Sequence, residues 1–586
     1  MEYFLIMLKI SGLALFYPIL AGIIARLTDK DDNKWTLPRI IQTFLVNAVV
    51  ILLLSWILVY FLQVRWYLTL LALILSNAAF MLISSWICYY LIDSTFNVIA
   101  IYSSIIILVI GLPIFTSLYI VYCGNMARTV NLDTKETTTN GLMPEINPKT
   151  KQLPVVNSNK TIAVIANNSL SQVKNANAYD IAHMQVQYYR GRLKYIVPLE
   201  FNGHYFKYLR YKEVPGYFII DAAAKDPHVK YIKQSLTYTP SAYIGHDVKR
   251  LMYKKVANKG LAILNDKPQL EITDDNKPYY VTTAYKCNYT NRLINFSQFW
   301  VVTVNALNGK TSLYRIQDKP KWLDIAVTPN IARSELIQYT TLRNGWYNYY
   351  YGTIGSSKQD VSVPISNVGT ECKDETLTPI SYKGTIYYFA TLKGYKDEQK
   401  SVLGYAYINA ATGKVHLYRG KQTAMTPDNA MEYAKNRMRA TKFDATMPLL
   451  YRIDGKPTWV VSMVDSRGAF MKYVYLKANG NGTKDTVAIG NNAQDTLNNY
   501  RTLFKNSIGS VDSSNKGKKI VKKGIVDRTA RFDNDTVRFM LKGSKNVYSV
   551  SINKIPQIAF LRSGDRITIT GNEYNNITIV TAISTK

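Results

Sequence analysis

The chain has 586 residues, with 71 Lys and Arg against 40 Asp and Glu, and a formal net charge of +31. Four cysteines in a chain of this length exclude a disulfide-built scaffold. Charge of this size bears on partners and solubility rather than on fold; nucleic acid, anionic lipid and the teichoic acids of a Gram-positive wall are the polyanions it would suit, and a general basic bias with no specific ligand is the alternative.

Four apolar runs, residues 3–25, 41–63, 66–92 and 98–122, fill the N-terminal fifth. A bilayer core is about 30 Å thick and needs roughly 20 mostly apolar residues to cross as a helix. The second run contains FLVNAVVILLLSWILVYFL and carries no charge. Lys9, in the first, has a stem long enough to reach headgroups. A cleaved signal peptide would be a single short apolar core; three more runs follow, so the first is read as a retained helix. Asn47 and Asn77 are explained by contacts inside the bundle, since two amides do not make an ion pathway. Residues 1–125 therefore read as a four-helix transmembrane bundle. The loop 26–39 carries Arg26, Lys30, Lys34 and Arg39, whereas the connection at Arg65 has one base and that at Asp93 has none. Cytoplasmic loops are enriched in Lys and Arg. That loop is expected inside the cell, and the C-terminal remainder, which holds +30 of the net charge, outside.

Residues 126–160, rich in Pro, Asn, Thr and Lys, read as a linker. A repeat follows within 161–510. VNALNGKTSLY from Val304 and INAATGKVHLY from Ile408 share six of eleven positions at an offset of 104. IDAAAKDPHVKY from Ile220 and YLKANGNG from Tyr475 are degenerate copies. Each copy follows a segment read as a strand: NGHYFKYLRY from Asn202, DNKPYYVTTAY from Asp275, KGTIYYFATL from Lys383 and DGKPTWVVSMV from Asp454. The glycine of each NGK or TGK piece permits a tight reversal. Thr239-Pro240, Thr328-Pro329 and Thr426-Pro427 read as helix starts. After them, Ile331, Leu336, Ile337 and Leu342, and Ala430, Met431, Ala434 and Met438, fall at helical spacing. The unit is strand, turn, strand, then helix, and it predicts tandem α+β modules with an antiparallel sheet laid on a helix. Asn409, Gly413 and Lys414 are assigned to the scaffold rather than to a ligand.

Residues 516–586 predict a small all-β barrel of OB type, with strands near 524–526, 537–541, 546–552, 565–570 and 576–582. Lys516, Lys518, Lys519, Lys522 and Lys523 stand just before it. With Phe532, Phe539, Tyr548, Phe560 and Tyr574 they could bind a single nucleic-acid strand by charge and stacking. The plainer reading is a solvated linker beside a barrel whose aromatics form its core.

Reactive chemistry is not signalled. His183, His204, His228, His246 and His416 form no H-x-x-x-H array, no C-x-x-C exists, and phosphate-loop and nucleophile-elbow motifs are absent. No catalytic, cofactor or metal residue is assigned. His246-Asp247 opens a basic helical stretch and reads as a polar face, and His416 as a strand residue. Cys287 and Cys372 read as buried free thiols, with pairing the alternative.

The hairpin ending in Thr412-Gly413-Lys414, followed by a helix bearing Ala430 and Ala434, resembles the PepSY type of bacterial extracytoplasmic module. The Asn308-Gly309-Lys310 copy shares the turn only, and the copies at Ile220 and Tyr475 lack it. The layout, with phrases such as VPLE at 197–200 and PGYFIID at 215–221, is also similar to polytopic membrane proteins of Gram-positive bacteria and their phages. The resemblance implies cystatin-like α+β folding, an extracytoplasmic soluble part and a binding or regulatory role. The expectation is a non-enzymatic, multi-pass cell-membrane protein presenting a basic, Tyr-rich surface to an anionic envelope polymer or protein partner. The alternative is a cytoplasm-facing protein that tethers nucleic acid through the barrel; an envelope enzyme or its inhibitor is a third reading.

Overall fold

The computed structural model describes residues 2–28, 37–91, 95–133, 145–146, 157–203, 205–224, 227–263, 268–351, 362–365, 377–394, 402, 404–418, 424–480, 486–507, 518–533, 536–544, 546–552, 555–574 and 577–585. It divides into two units, Met1–Gly480 and Asn481–Lys586.

The first unit opens with α1 (Glu2–Thr28), α2 (Leu37–Trp56, continued by a π-helical turn, Ile57–Phe61), α3 (Leu70–Leu91) and α4 (Thr95–Ala127). Three stretches are long and apolar enough to cross a membrane: Ile40–Phe61, Leu70–Tyr89 and Asn97–Ala127. The α1 helix packs against α2 and α3. Polar side chains turn inward, where low polarity favours their pairing. Ser76 Oγ donates to the Ile10 carbonyl at 2.9 Å, and Asn77 Oδ1 accepts from the Ala14 N–H at 3.1 Å. Adjacent residues of α3 thus grip successive turns of α1. Asn47 is buried and donates to the Thr43 carbonyl at 2.9 Å. Leu13, Phe16, Leu53, Ile106 and Val109 are exposed, an apolar surface far larger than water tolerates.

Past α4, β1 (Leu132–Asp133) is followed by four helix-and-sheet modules. The first has α5 (Asn159–Asn168), β2 (Tyr179–Ile181), β3 (Gln185–Tyr189), β4 (Arg192–Phe201), a short α6 (Tyr205–Tyr211), β5 (Val214–Asp221) and β6 (Val229–Leu236). The second has α7 (Val248–Ala257), β7 (Ala262–Ile263), β8 (Gln269–Ile272), β9 (Pro278–Cys287), β10 (Ile294–Asn305) and β11 (Thr311–Arg315). The third has α8 (Pro329–Leu342), α9 (Trp346–Tyr351), β12 (Ser362–Ile365), β13 (Thr378–Tyr382), β14 (Thr385–Gly394), β15 (Gly404–Asn409) and β16 (Val415–Tyr418), and β1 joins its edge parallel to β16. The fourth has α10 (Pro427–Arg437), β17 (Asp444–Ile453), β18 (Lys456–Val464) and β19 (Phe470–Lys477). Within each module, consecutive long strands pair antiparallel.

One alanine explains the repeat. Ala222, Ala306, Ala410 and Ala478 donate their N–H to Leu193, Pro278, Ile386 and Pro457, each near the start of the strand that precedes the one the alanine follows. The same alanines accept, at their carbonyls, from residues just ahead of a helix (Asn157 before α5, Ala326 and Val327 before α8, Met425 before α10) or, for Ala306, from Thr237 and Tyr238 at the start of the longer stretch that leads to α7. A carbonyl has two lone pairs and can hold two such donors. A single buried peptide therefore ties each hairpin to a helix entrance. The neighbouring Asn is equally structural: Asn305 Oδ1 accepts from Leu307 and Asn308 N–H at 2.9 and 3.2 Å, and Asn409 Oδ1 from Ala411 and Thr412 at 2.9 and 3.1 Å. Gly309 and Gly413 have φ of +70° and +72°, where a side chain is strained.

Several expectations need correction. NGHYFKYLRY is not a strand: Tyr205, Tyr208 and Tyr211 recur every third residue and form α6, with Tyr208 buried against Phe201 and Tyr243. Thr239-Pro240 opens no helix; Asp247 caps α7 instead, its Oδ1 accepting from the Lys249 N–H at 2.8 Å. Thr328 and Thr426 do precede α8 and α10. Residues 126–160 are not a free linker where described. They contain the end of α4, the strand β1, Glu145 bound to Arg452 at 3.4 Å, and the start of α5.

In the second unit, β20 (Val487–Gly490) and α11 (Ala493–Ser507) precede a closed barrel of β21 (Lys518–Asp533), β22 (Thr536–Leu541), β23 (Val547–Ser551), β24 (Arg566–Tyr574) and β25 (Ile577–Thr585). The order is β21-β22-β23-β25-β24, with β23 and β25 parallel. Lys518, Lys519, Lys522 and Lys523 are not a linker but the first barrel strand, paired residue for residue with β24. Lys516 lies outside the described residues. A Cβ on Gly571 would come within 2.3 Å of the Ile579 carbonyl oxygen, so only glycine lets β24 and β25 close there.

Candidate functional site: the seat of the modules on the bundle

A run of contacts between distant parts of the sequence lies where α7 crosses the end of the helical bundle. Near its N-terminus, the Arg250 guanidinium sits 4.1 Å from the Tyr60 ring centroid and 5.5 Å from that of Phe61. The Arg250 carbonyl accepts from Tyr3 Oη at 3.2 Å. Tyr253 Oη donates to the Val64 carbonyl at 2.9 Å, and Lys254 pairs with Glu2 at 2.8 Å. Past the C-terminus of α7, Lys9 Nζ reaches the Asn258 carbonyl at 3.4 Å, and Tyr67 Oη donates to the Leu261 carbonyl at 3.0 Å. Arg65 donates to Tyr285 Oη at 2.7 Å. The apolar core is continuous across this seam, from Ile6, Ile10, Val59 and Tyr67 to Tyr253, Tyr285 and Ile331.

The end of α4 makes a second anchor. Cys123, Met126 and Ala127 pack with Leu293 and Leu342, and Tyr122 stacks on Tyr289 with centroids 3.9 Å apart. Gly124 permits this approach: a Cβ there would lie 3.3 Å from the Gly345 nitrogen. The beginning of α1, the end of α2, the beginning of α3 and the end of α4 therefore all face the modules.

Between the first two modules lies a buried polar joint. Gln187 pairs with the backbone of Ile272 through both side-chain atoms, at 2.7 Å each, as a strand neighbour would. Glu271 is buried; its Oε1 accepts from Gln185 Nε2 at 3.3 Å and the Ile325 N–H at 3.0 Å, and its Oε2 from the Asp324 N–H at 3.2 Å. Burial, with the nearby Asp324 charge, pushes Glu271 up to about 8 against the pull of those N–H donors. Burial likewise pushes Asp324 up to about 6. Both Glu271 oxygens are taken by the chain itself, while Gln185 Oε1 is buried without a partner among the described residues; the joint ties the first module to the second. Glu335 is different. It is fully buried on α8, and neither carboxylate oxygen has a hydrogen-bond partner among the described residues. Its signal was present in the sequence, since residues 331, 335 and 339 share one helical face.

The histidines remain dispersed. His246 Nδ1 meets Tyr208 Oη at 2.9 Å while Asp247 caps α7 and pairs with Arg250 at 3.1 Å, so the two neighbours serve different partners. His416 lies on β16, 3.3 Å from Asp133 of β1, and Lys414 is 3.2 Å from the same carboxylate. Burial holds the His416 imidazole below its usual range. His204 lies outside the described residues. Among the described residues no group of three or more His, Cys, Asp or Glu is placed to hold a metal. Cys287 is free and buried; Cys372 lies outside the described residues.

On the barrel, Lys519, Lys522 and Lys523 are exposed. Phe539 and Tyr548 stack on each other in the core, 5.4 Å apart, and only Phe560 among the described candidates is exposed. The side chains of Phe532 and Tyr574 lie outside the described residues. No family model matches the chain, and no curated protein matches it in sequence.

Proposed function

We propose that this is a membrane-anchored, non-catalytic scaffold. Its four modules, PepSY-like in their hairpin-and-helix plan, present a basic, Tyr-rich surface to an anionic envelope polymer or a protein partner outside the cell. The observation that carries this reading is the seat itself. Four helix ends and one continuous core hold the modules against the bundle, an arrangement suited to display at a fixed distance from a bilayer. All four helices cross the membrane in this reading, with α1 packed in the same bundle as the three apolar spans. The ends of α1 and α2 that carry Arg26 and Arg39 are those away from the modules, which supports a cytoplasmic side for that end of the bundle. Binding of purified full-length protein to teichoic acid should weaken steeply with salt, as polyanion contacts do. Salt-independent binding, or none, removes the polymer as ligand. External protease should degrade the modules on intact cells; full protection there with digestion after lysis removes the extracytoplasmic reading.

A second reading rests on the exposed Lys519, Lys522 and Lys523 of an OB-like barrel, which could hold a nucleic-acid strand from the cytoplasmic side. With Phe539 and Tyr548 spent in the core, charge would have to replace stacking. Strong, sequence-tolerant binding to single strands at physiological salt would favour it.

A further inference from the structure

We infer that the first module carries a second, lipid-binding contact: α6 and the turn before α7 rest on the bilayer surface beside the bundle and bind anionic phospholipid headgroups. The juxtaposition behind this is an exposed aromatic and basic patch continuous with the bundle's own interfacial aromatics.

The patch is unusual for a surface facing water. Phe206 is 78 % exposed, Ile244 59 %, and Tyr205 and Leu209 39 % each. Ile244 also has φ of +56°, a conformation that a β-branched residue adopts only under constraint. The fold therefore spends backbone strain where an apolar side chain stands in the open. Beneath these residues the patch is built, not loose. Tyr205 and Tyr208 pack on Tyr243 at 4.9 and 5.5 Å, and Tyr208 Oη meets His246. Lys207 lies alongside, and Arg210 and Lys212 are exposed and stand beside the rings of Tyr211 and Tyr208 at 5.4 Å each. Glu213, exposed at the end of this segment, accepts from Thr237 Oγ1 at 3.0 Å and keeps its charge, so with Lys207, Arg210 and Lys212 the segment stays net basic.

Position supplies the occupant. Ile244 precedes Arg250 by six residues, and Arg250 lies on Tyr60 and Phe61. Trp56 stacks on Tyr60, and Trp56, Phe61 and Leu62 are exposed at the end of an apolar span. Such rings mark the headgroup level of a membrane. Because α7 touches the bundle through Arg250, Tyr253 and Lys254, its N-terminal end leads from that level to Ile244. Aromatic residues flanked by bases are what an interfacial contact with anionic lipid requires.

The test uses full-length protein with Cys372→Ser and Phe206→Cys, labelled with an environment-sensitive fluorophore; Cys88, Cys123 and Cys287 are buried. The protein is placed in nanodiscs of phosphatidylcholine, with or without an equal part of phosphatidylglycerol. The probe should be quenched several-fold more by nitroxide-bearing lipid than by aqueous iodide. In the mixed discs, Arg210→Glu with Lys212→Glu should cut lipid quenching by about half. A probe that iodide reaches freely in both discs overturns the proposal and leaves the face to a protein partner. Lipid quenching indifferent to phosphatidylglycerol and to charge reversal overturns the anionic specificity. Neither readout depends on which side of a cell the modules face or on any envelope polymer.

Discussion

At Gly384 and Gly413 a positive φ constrains the residue, but what surrounds the two positions differs. A Cβ on Gly413 would meet Val327 Cγ2 at 3.2 Å and Phe299 Cδ2 at 3.3 Å, whereas one on Gly384 would meet nothing within 4 Å, although φ is positive at both. Gly384→Ala should therefore cost about 1 kcal/mol of backbone strain alone, and Gly413→Ala roughly twice that once packing is disturbed. Equal losses in thermal unfolding would refute the packing part. Glu271 gives a pH dependence with a definite sign. Its folded-state proton is held to about pH 8 against an ordinary value of 4.5, so its share of stability is complete below that ordinary value and is lost as pH rises through about 8. The melting temperature should fall over this window, and Glu271→Gln should flatten the fall; parallel curves for the two proteins would contradict the assignment. Glu335→Leu removes a buried carboxyl without a described partner and should raise stability by about 1–3 kcal/mol, read as a higher unfolding temperature.

At the scale of elements, α7 shows how one helix serves two masters. Its inner face packs on its own sheet, and its other side meets the bundle through Arg250, Tyr253 and Lys254. Arg250→Met leaves the largely buried Asp247 without its cation, so it should cost about 3 kcal/mol and raise amide exchange through the first turn of α7. Asp247→Asn keeps a capping oxygen and should cost less, about 1 kcal/mol. The reverse ranking would mean that the cap, not the ion pair, fixes this end. The same element view explains the repeat: residues shared by VNALNGK and INAATGK are those that a buried peptide, an Asx turn and a positive φ demand. No ligand is needed to account for them.

For the whole molecule, the proposed extracytoplasmic display carries an expectation of sidedness. Cysteine introduced at Lys456, the exposed first residue of β18, should react with an impermeant maleimide on intact cells. Cysteine introduced at Lys30 should react only after permeabilisation. Labelling of both from one side would break the four-crossing arrangement.

Three of the four apolar runs were legible because crossing lipid sets a length and a composition that no other environment demands, and the barrel strands because alternation and turn glycines are local signals. The repeated hairpins were legible for the same reason. What only the tertiary structure decided were the features whose partners lie far along the chain. α6 is helical because Tyr208 finds Phe201 and Tyr243, α7 is seated where Arg250 meets Tyr60, and the lysine tract is a strand because β24 closes the barrel on it. Local pattern writes the elements. The meeting of bundle and modules is fixed by burial between residues more than a hundred positions apart, which no short window of sequence contains.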